Sequence, residues 1–432
     1  MERLSFDIQW EQAEGVTHPG LAASWARTVI RVGGRSVTMV QDTRTNASRT
    51  AIYGPAMLLA EWAVRNFWFL LNEAEHAEAR GYAWRRRHSL AAAREGTSLP
   101  DLRIFRDEHA VVAEWVARTD AHHLPVRFVD QGRAELEPTQ ARAALSELVD
   151  TVLERLRDIV SPDIDALRAD WESTLEVSGE DLHLCERAAR LGLDALDESQ
   201  LSPDLESCLR GAVDDLPRVT ANDVLDAQIR EAAALASAVA SVRDLTVNGG
   251  MPPLRAGSRD LEIQVPSGHR PYVTGYAAAK ALRTKHHLPV GKVDLDRLAG
   301  HLGLDIKEHP PLGKHGSHLQ GLVGESPTGA PLLYVAPRRK EPARFLQARG
   351  LFAMLAGATR EGPRALTSAG TTLQAAGRAF AAELLAPAEF LVDRVADGYD
   401  DDVVEQLAEE LEVAVPVIVR QLENLERHGL SM

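Results

Sequence analysis

A segment without apolar periodicity, Thr246 to Arg259 (TVNGGMPPLRAGSR), interrupts this chain of 432 residues. It combines a Gly pair and a Pro pair with small polar residues, a composition that is typical of loops and linkers. A chain of this length exceeds one ordinary domain. We therefore predict a linker at residues 246–259 with separately folded regions on either side of it.

The residues before this linker predict two kinds of structure. Within residues 1–136, two runs rich in β-branched side chains flank Gly33 and Gly34, which can supply the positive φ angles of a tight turn. We predict a β-hairpin from about Arg27 to Asp42. A largely apolar helix follows, so we expect a small α+β domain whose role the sequence leaves unassigned. Residues 137–245 carry apolar side chains at helical spacing, which predicts a helical region.

Two helix starts in this helical region carry capping patterns. Ser178 with Asp181, and Thr220 with Asp223, place a hydroxyl acceptor three residues ahead of an acid. In a capping box the hydroxyl accepts from a backbone N–H of the first turn, and the acid reaches back to the capping residue. We therefore predict helix N-caps at Ser178 and Thr220.

The charge and the cysteine content exclude some classes of protein. The net charge is -15, from 48 basic and 63 acidic residues, which disfavours a protein that binds nucleic acid by neutralising many phosphates. Two cysteines exclude a disulfide framework and a multi-Cys zinc site. Without a signal-like start or a long apolar run, we expect a cytoplasmic protein that neither enters nor crosses a membrane.

A dense group of cations, Arg85, Arg86, Arg87 and His88, lies in the first domain. One interpretation is a contact for an anion or a nucleic acid, which keeps open a nucleic-acid-associated regulatory or defence component. The other is a solvated helix end in an acidic protein.

The segments after the linker follow a definite order. They predict helix, loop, helix and a strand from about Leu304, then two strands joined by a polar turn in GLVGESPTGAPLLYVAP. The helix RFLQARGLFAML follows, then a loop through GATREGPRALTSAGTT, a second apolar helix in LQAAGRAFAAELLAP, and a helical pair in VVEQLAEELEVAVPVIVRQLENL. The whole chain is expected to be α+β and predominantly helical.

In this order, the segments from about Gly275 to Leu430 resemble the ImmA/IrrE family of metallopeptidase-like regulatory proteins. The opening helices, RF followed by a helix, FAAELLAP and the closing pair are each similar to the corresponding part of that family. The resemblance implies a zincin-like domain at residues 260–432 of a bacterial protein. Because family members commonly act on repressors or antitoxins in mobile elements and stress responses, it also implies a protein or peptide partner.

The family's zinc site is altered at every position. Its first core helix carries His-Glu-x-x-His, in which two imidazoles on one helix face bind zinc and the Glu activates a metal-bound water. The second helix supplies a third ligand, usually Glu. Aligned on RF and on FAAELL, these four positions hold Arg349, Gly350, Ala353 and Gln374. Since an amide oxygen is a poor zinc ligand, we predict a pseudopeptidase without catalytic residues, metal or cofactor.

Arg349 and Gln374 are the candidate binding residues of the family's cleft, because a guanidinium offers several donors in a fixed fork to a carboxylate or peptide group. In this fold Glu383 is expected to be structural, capping or bracing the core.

Other interpretations stay open. His309, His315 and His318 share one loop, and a His-x-x-His pair can bind metal, so a peptidase with a relocated metal site is one alternative. A hydrolase whose catalytic groups lie in the first 245 residues is another. The closing helices have spacing similar to a helix-turn-helix, but from Asp393 onward they hold eleven acids against three arginines, so DNA binding through them is not expected.

Overall fold

A computed structural model of the chain describes residues 2–75, 81–93, 97–117, 126–247, 251, 270–308, 319–326, 328, 330–335, 339–396 and 398–428. It is a mixed α+β structure in which helix outweighs strand, as the sequence predicts. The chain forms two compact units, Met1–Leu201 and Ser202–Met432. This division falls inside the segment 137–245, for which the sequence predicts one helical region.

The first unit combines three small sheets with six helices among its described residues. Its strands are β1 (Leu4–Trp10), β2 (Trp25–Val32), β3 (Arg35–Ser36), β4 (Val40–Asp42), β5 (Ser48–Arg49), β6 (Ile52–Pro55), β7 (Asp101–Asp107), β8 (Ala110–Val116), β9 (Val126–Phe128) and β10 (Gly132–Leu136). Its helices are α1 (Pro19–Ala23), α2 (Met57–Asn72), α3 (Tyr82–His88), α4 (Pro138–Arg155), α5 (Pro162–Glu176) and α6 (Gly179–Arg190), with a 3-10 helical turn at Leu90–Ala93.

The predicted hairpin forms between β2 and β3. Gly33 and Gly34 turn the chain with φ of 57° and 82°, and β2 pairs antiparallel with both β3 and β1. The second arm is shorter than predicted, because β4 joins another sheet between β5 and β9. The sequence therefore located the turn correctly and overestimated the length of the second strand.

Helix α2 is the centre of the first unit's core, as its apolar sequence predicts. Twelve of its residues are buried, and its Phe67 ring meets Trp171 of α5 edge to face at 5.2 Å. The helix also packs against α4, whose buried side chains repeat at helical spacing. Burial of each large apolar side chain contributes roughly 1.5–3 kcal/mol to stability.

The second unit contains ten helices and four strands among its described residues. The helices are α7 (Pro203–Arg210), α8 (Arg218–Asp226), α9 (Ala232–Val247), α10 (Pro271–Lys285), α11 (Leu295–His301), α12 (Lys340–Leu355), α13 (Thr372–Leu385), α14 (Ala388–Arg394), α15 (Asp401–Leu411) and α16 (Val415–His428). The strands are β11 (Asp305–Glu308), β12 (Leu319–Glu325), β13 (Pro331–Val335) and β14 (Arg364–Thr367), and 3-10 turns lie at Ala212–Asp215 and Ala358–Glu361.

These strands form one mixed sheet in the order β11, β13, β12, β14. Strand β11 runs parallel to β13, and the other two pairings are antiparallel. The predicted elements follow one another in the predicted order. Two further elements were not predicted: the short helix α14, and β14, which lies where the sequence predicts only a loop. All four residues of β14 are buried, so it lacks the alternation of apolar and polar side chains that identifies a half-buried strand.

Helix α12 packs on this sheet and on α13, and α13 packs in turn on α10. The contact between α10 and α13 is close at Gly275, where a Cβ atom would lie 2.3 Å from the carbonyl oxygen of Ala376. A larger residue at this position would push the two backbones apart. The helix pair therefore depends on a glycine for its spacing.

One capping prediction is confirmed and the other is wrong. Ser178 occupies the N-cap position of α6, although its side chain makes no capping hydrogen bond there. Helix α8 begins at Arg218, so Thr220 and Asp223 lie inside that helix. Both side chains are buried, and the Thr220 hydroxyl donates to the carbonyl oxygen of Pro363. The local pattern assigned the polar groups of Thr220 and Asp223 to a helix cap, but in the structure they bind residues that are distant in the sequence.

Most of the predicted linker lies outside the described residues. Within 246–259 the structure describes residues 246 and 247, at the end of α9, and Met251, which is buried. Among the described helices, none combines the length and the apolar composition needed to cross a bilayer.

Candidate functional site

Two of the four positions aligned with the zinc site lie in direct contact. Arg349 belongs to α12 and Gln374 to the first turn of α13. Their exposed fractions are only 4% and 2%, and Nη2 of Arg349 donates to Oε1 of Gln374 at 2.6 Å. The fold therefore brings together two residues that are 25 positions apart in the sequence.

This contact belongs to a larger buried polar network. Arg349 also donates from Nη2 to the carbonyl oxygen of Thr367 at 2.6 Å, and from Nη1 to Oε1 of Gln320. Gln374 accepts from the Thr367 N–H at 3.1 Å and donates to the carbonyl oxygen of Ala365 at 2.7 Å. Because a guanidinium presents its donors in a rigid fork, Arg349 links α12 to α13, β12 and β14 at one point. We call these three side chains, together with the backbone groups of Thr367 and Ala365, the Arg349 network.

The other two aligned positions make apolar contacts. A Cβ atom on Gly350 would lie 2.7 Å from Cδ2 of Leu333 on β13, so glycine allows α12 to approach the sheet closely. Ala353 is buried in the apolar cluster that also contains Leu333 and Leu366. Glycine in a helix costs about 1 kcal/mol relative to alanine, and here it permits packing that a larger residue would disturb.

The space between the two core helices is filled by aromatic rings. Phe352 of α12 is buried with its ring centroid 5.3 Å from that of Phe380 on α13. The Phe352 ring also packs against Gly377 of α13, where a Cβ atom would lie 3.4 Å from Cδ1 of Phe352. Met354 packs on the sheet side of α12. The helix therefore buries side chains towards both α13 and the sheet.

A second buried arginine holds the other end of β14. Arg364 donates from Nε and Nη2 to the two carboxylate oxygens of Asp223 on α8, at 2.8 and 2.7 Å. The same carboxylate accepts from the Ala365 N–H at 2.9 Å. Paired bonds between a guanidinium and a carboxylate are among the stronger hydrogen bonds in proteins. Sequence reasoning missed this pair, since its members are 141 residues apart.

Glu383 has the structural role expected of it. Its carboxylate is buried, accepts from the Ala388 N–H at the start of α14 at 3.1 Å, and accepts from Nε2 of Gln421 on α16 at 3.2 Å. Burial raises the pKa of Glu383 above its usual range, and the hydrogen bond from Ala388 offsets part of that rise. The carboxylate caps α14 and braces α16.

The basic group of the first unit is divided between the interior and the surface. His88 is buried, with Nδ1 2.6 Å from the carbonyl oxygen of Ile104 and Nε2 2.9 Å from Oε2 of Glu73. Arg87 donates from Nε to the same Glu73 oxygen at 2.7 Å. Burial acts to raise the pKa of Glu73, but the hydrogen bonds and charges of His88 and Arg87 outweigh it and hold that pKa below the usual range. We call these three residues the Glu73 cluster.

The Glu73 cluster corrects the interpretation of the basic group as a solvated helix end. Arg85 and Arg86 are exposed, but His88 belongs to the core, where Trp84 stacks on its ring at 4.3 Å. A fully solvated helix end is therefore wrong, while a contact for an anion or a nucleic acid stays a prediction. No local periodicity distinguishes the buried members from the exposed ones.

The histidines of the proposed alternative metal site, His309, His315 and His318, lie outside the described residues, so a relocated metal site stays a prediction. Within the described ranges, no three His, Cys, Asp or Glu side chains are grouped so as to hold a metal ion.

Neither a protein-family model nor a curated protein matches the chain. The assignment of a function to this site therefore depends on the geometry of its own residues.

Proposed function

We propose that the second unit is a metallopeptidase-like scaffold of the ImmA/IrrE type, with a zincin-like domain, that binds a protein or peptide partner without hydrolysing it. The observation that carries this proposal is the hydrogen bond between Arg349 and Gln374. The sequence alignment assigns these two positions to ligands of a single zinc ion. Two ligands of one zinc ion must lie close together, so the contact between Arg349 and Gln374 supports this alignment.

The residue types at this site favour binding over hydrolysis. Arg349 places a permanent positive charge where a zinc ion would have to approach, and Gly350 has no side chain that could activate water. Ala353 carries no donor atom. The chemistry of these positions therefore supports a pseudopeptidase.

The Arg349 network also suggests what replaced the metal. In a zincin the metal joins the two core helices, whereas here a guanidinium joins α12 to α13 and to two strands of the sheet. The network is almost wholly buried, and Gln320 is its partly exposed member. A partner group that reaches this site would meet Gln320 first and would have to exchange hydrogen bonds with Arg349. A role in mobile-element, stress or defence regulation follows from the family resemblance alone.

Two measurements on the full chain test the proposal. Protein purified without added metal or a histidine tag should contain no stoichiometric zinc by elemental mass spectrometry, and a chelator should not change its stability. Arg349→Met should lower the stability of α12, α13 and β14 by about 2–3 kcal/mol, because it leaves buried acceptors without donors. Hydrogen exchange with mass spectrometry in increasing denaturant measures this locally.

The matched control is Arg297→Met, which removes an exposed guanidinium from α11 and should leave the exchange unchanged. About one zinc per chain, with chelator-sensitive exchange in α12, would overturn the proposal and favour the site at His309, His315 and His318. Exchange in Arg349→Met equal to that of the control would show that the guanidinium does not join the helices.

A further inference from the structure

A groove with a volume of about 450 Å³ opens on the first unit beside α2, α3 and the turn at Leu90–Ala93. Its lining includes three arginines, Arg65, Arg86 and Arg87, and a single carboxylate, Glu61. The volume lies in the range typical of small-molecule sites. The net charge of the chain is -15, so a groove lined by three guanidinium groups is a candidate site for an anion.

Arg87 is held in place before any ligand binds. Its Nε and Nη2 both donate to the Glu73 carboxylate, and its guanidinium carbon lies 4.8 Å from the centre of the Phe69 ring. His88 holds the same carboxylate from behind. Arg87 therefore presents a fixed edge to the groove at little further cost in side-chain entropy.

Among the described residues that line the groove, Arg86 is the arginine whose charge no carboxylate balances. It is exposed, rests 5.7 Å from the centre of the Tyr82 ring, and has no ion-pair partner within the described residues. Arg65 lies 3.7 Å from Glu61, and its side chain is 69% exposed. Surface ion pairs of this kind contribute at most about 1 kcal/mol, so Arg65 can turn from Glu61 to a ligand.

We propose that this groove binds the phosphate or carboxylate group of a small molecule, with Arg86 as the main donor and Arg87 as a preset neighbour. Guanidinium groups bind both oxyanions through paired hydrogen bonds. Nucleic acid fits the groove less well, because backbone binding needs several exposed cations along a strand. The groove offers two freely exposed ones, and the chain as a whole is acidic.

The test is an equilibrium titration of the full chain with three probes at low salt: inorganic phosphate, citrate and a twenty-nucleotide single-stranded DNA. Isothermal calorimetry measures binding, and tryptophan fluorescence provides a second readout, since Trp62 lines the groove. We expect one small anion to bind per chain, and the preferred anion shows whether the natural ligand carries a phosphate or a carboxylate.

The variants separate this site from a general charge effect. Arg86→Gln should weaken anion binding about tenfold, the effect of losing one charged hydrogen bond. Arg85→Gln removes the same charge from the same helix at an exposed position that does not line the groove, and it should leave binding within about twofold. Glu61→Gln should tighten binding, because it removes the carboxylate that competes for Arg65.

Three results would overturn the proposal. The first is the absence of saturable binding by phosphate or citrate. The second is an equal loss of affinity in the Arg85 and Arg86 variants, which would indicate a non-specific charge effect. The third is binding of the oligonucleotide alone with a steep salt dependence, which would assign this face to nucleic acid. Because Arg86 is exposed, its variant should unfold at the same urea concentration as the wild type.

Discussion

Glu73 in the first unit and Glu383 in the second are both 1% exposed, and yet their pKa values move in opposite directions. Burial acts on both carboxyl groups alike and favours the uncharged acid. Glu73 meets the basic side chains of Arg87 and His88 at hydrogen-bond distance, and both lower its pKa. Glu383 meets a backbone N–H and the neutral amide of Gln421. The charge of the nearest partners, and not the depth of burial, therefore determines whether the folded protein favours the ionised or the protonated carboxyl group.

The more distant charges do not remove this difference. Lys280 and Arg283 lower the pKa of Glu383, but burial raises it more. Arg283 is occupied by carbonyl oxygens, among them that of Gly291 at 3.0 Å. Cations that lie near Glu383 without contacting its carboxylate therefore lower its pKa less than burial raises it.

The largest effect is expected from Glu73→Gln. Glutamine keeps the shape of the side chain but leaves Arg87 and His88 facing a neutral amide in the core. Removing one partner of a buried charge pair costs about 3 kcal/mol, and we expect this loss in the free energy of unfolding of the first unit. Urea unfolding followed by tryptophan fluorescence measures it, because all seven tryptophans lie between Trp10 and Trp171.

Glu147→Gln is the matched control for this measurement. Glu147 is exposed on α4, so its substitution should change stability by less than about 0.5 kcal/mol. If Glu73→Gln is as stable as this control, the charges of the cluster do not stabilise the unit, and the comparison with Glu383 loses its basis.

A smaller effect is expected from acid. Because the pKa of Glu73 in the folded protein lies below its usual value of 4.5, its stabilising contribution is complete above that pH and is lost as the pH falls through the folded pKa. The first unit of the wild type should therefore lose stability more steeply than that of Glu73→Gln as the pH falls below about 4.5. Parallel curves from the same fluorescence measurement would show that another carboxylate controls the acid response.

The sequence predicted those parts of the molecule that depend on local pattern. The hairpin at Gly33 and Gly34, the apolar helix α2, and the order of helices and strands around α12 and α13 all follow from turn residues and periodicity. The family resemblance assigns Arg349 and Gln374 to one site, which stays a prediction, and the structure shows the two side chains in contact. Where neighbours along the chain determine the structure, the sequence was sufficient.

Contacts between distant polar residues could not be predicted in this way. Thr220 and Asp223 fit a capping box, but their partners, Pro363 and Arg364, are more than 140 residues away. Glu73 follows the end of α2 and His88 ends α3, and neither shows a periodic signal. Any of several acids could have paired with a given arginine, so only the folded arrangement identifies the partner.

The smallest effect is expected from Glu383→Gln. The pKa of Glu383 in the folded protein lies above its usual value of 4.5, so its contribution to stability is complete below that pH and is lost as the pH rises through the folded pKa. Glutamine resembles the protonated acid and retains an oxygen that can accept from the Ala388 N–H. We therefore expect a change within about 1 kcal/mol at pH 7, and a flatter dependence on pH than in the wild type.

Hydrogen exchange in α13, α14 and α16, corrected for the intrinsic exchange rate at each pH, measures this local stability in the unit that has no tryptophan. Glu405→Gln, at an exposed position on α15, controls for the loss of one negative charge. A loss in Glu383→Gln as large as that in Glu73→Gln would mean that the Glu383 carboxylate is ionised and held by a cation such as Lys280. Glu73 and Glu383 would then both be ionised in the folded protein. A small effect that flattens the pH dependence would instead make Glu383 a neutral hydrogen-bonding group, which suits a side chain that joins α13 to α14 and α16.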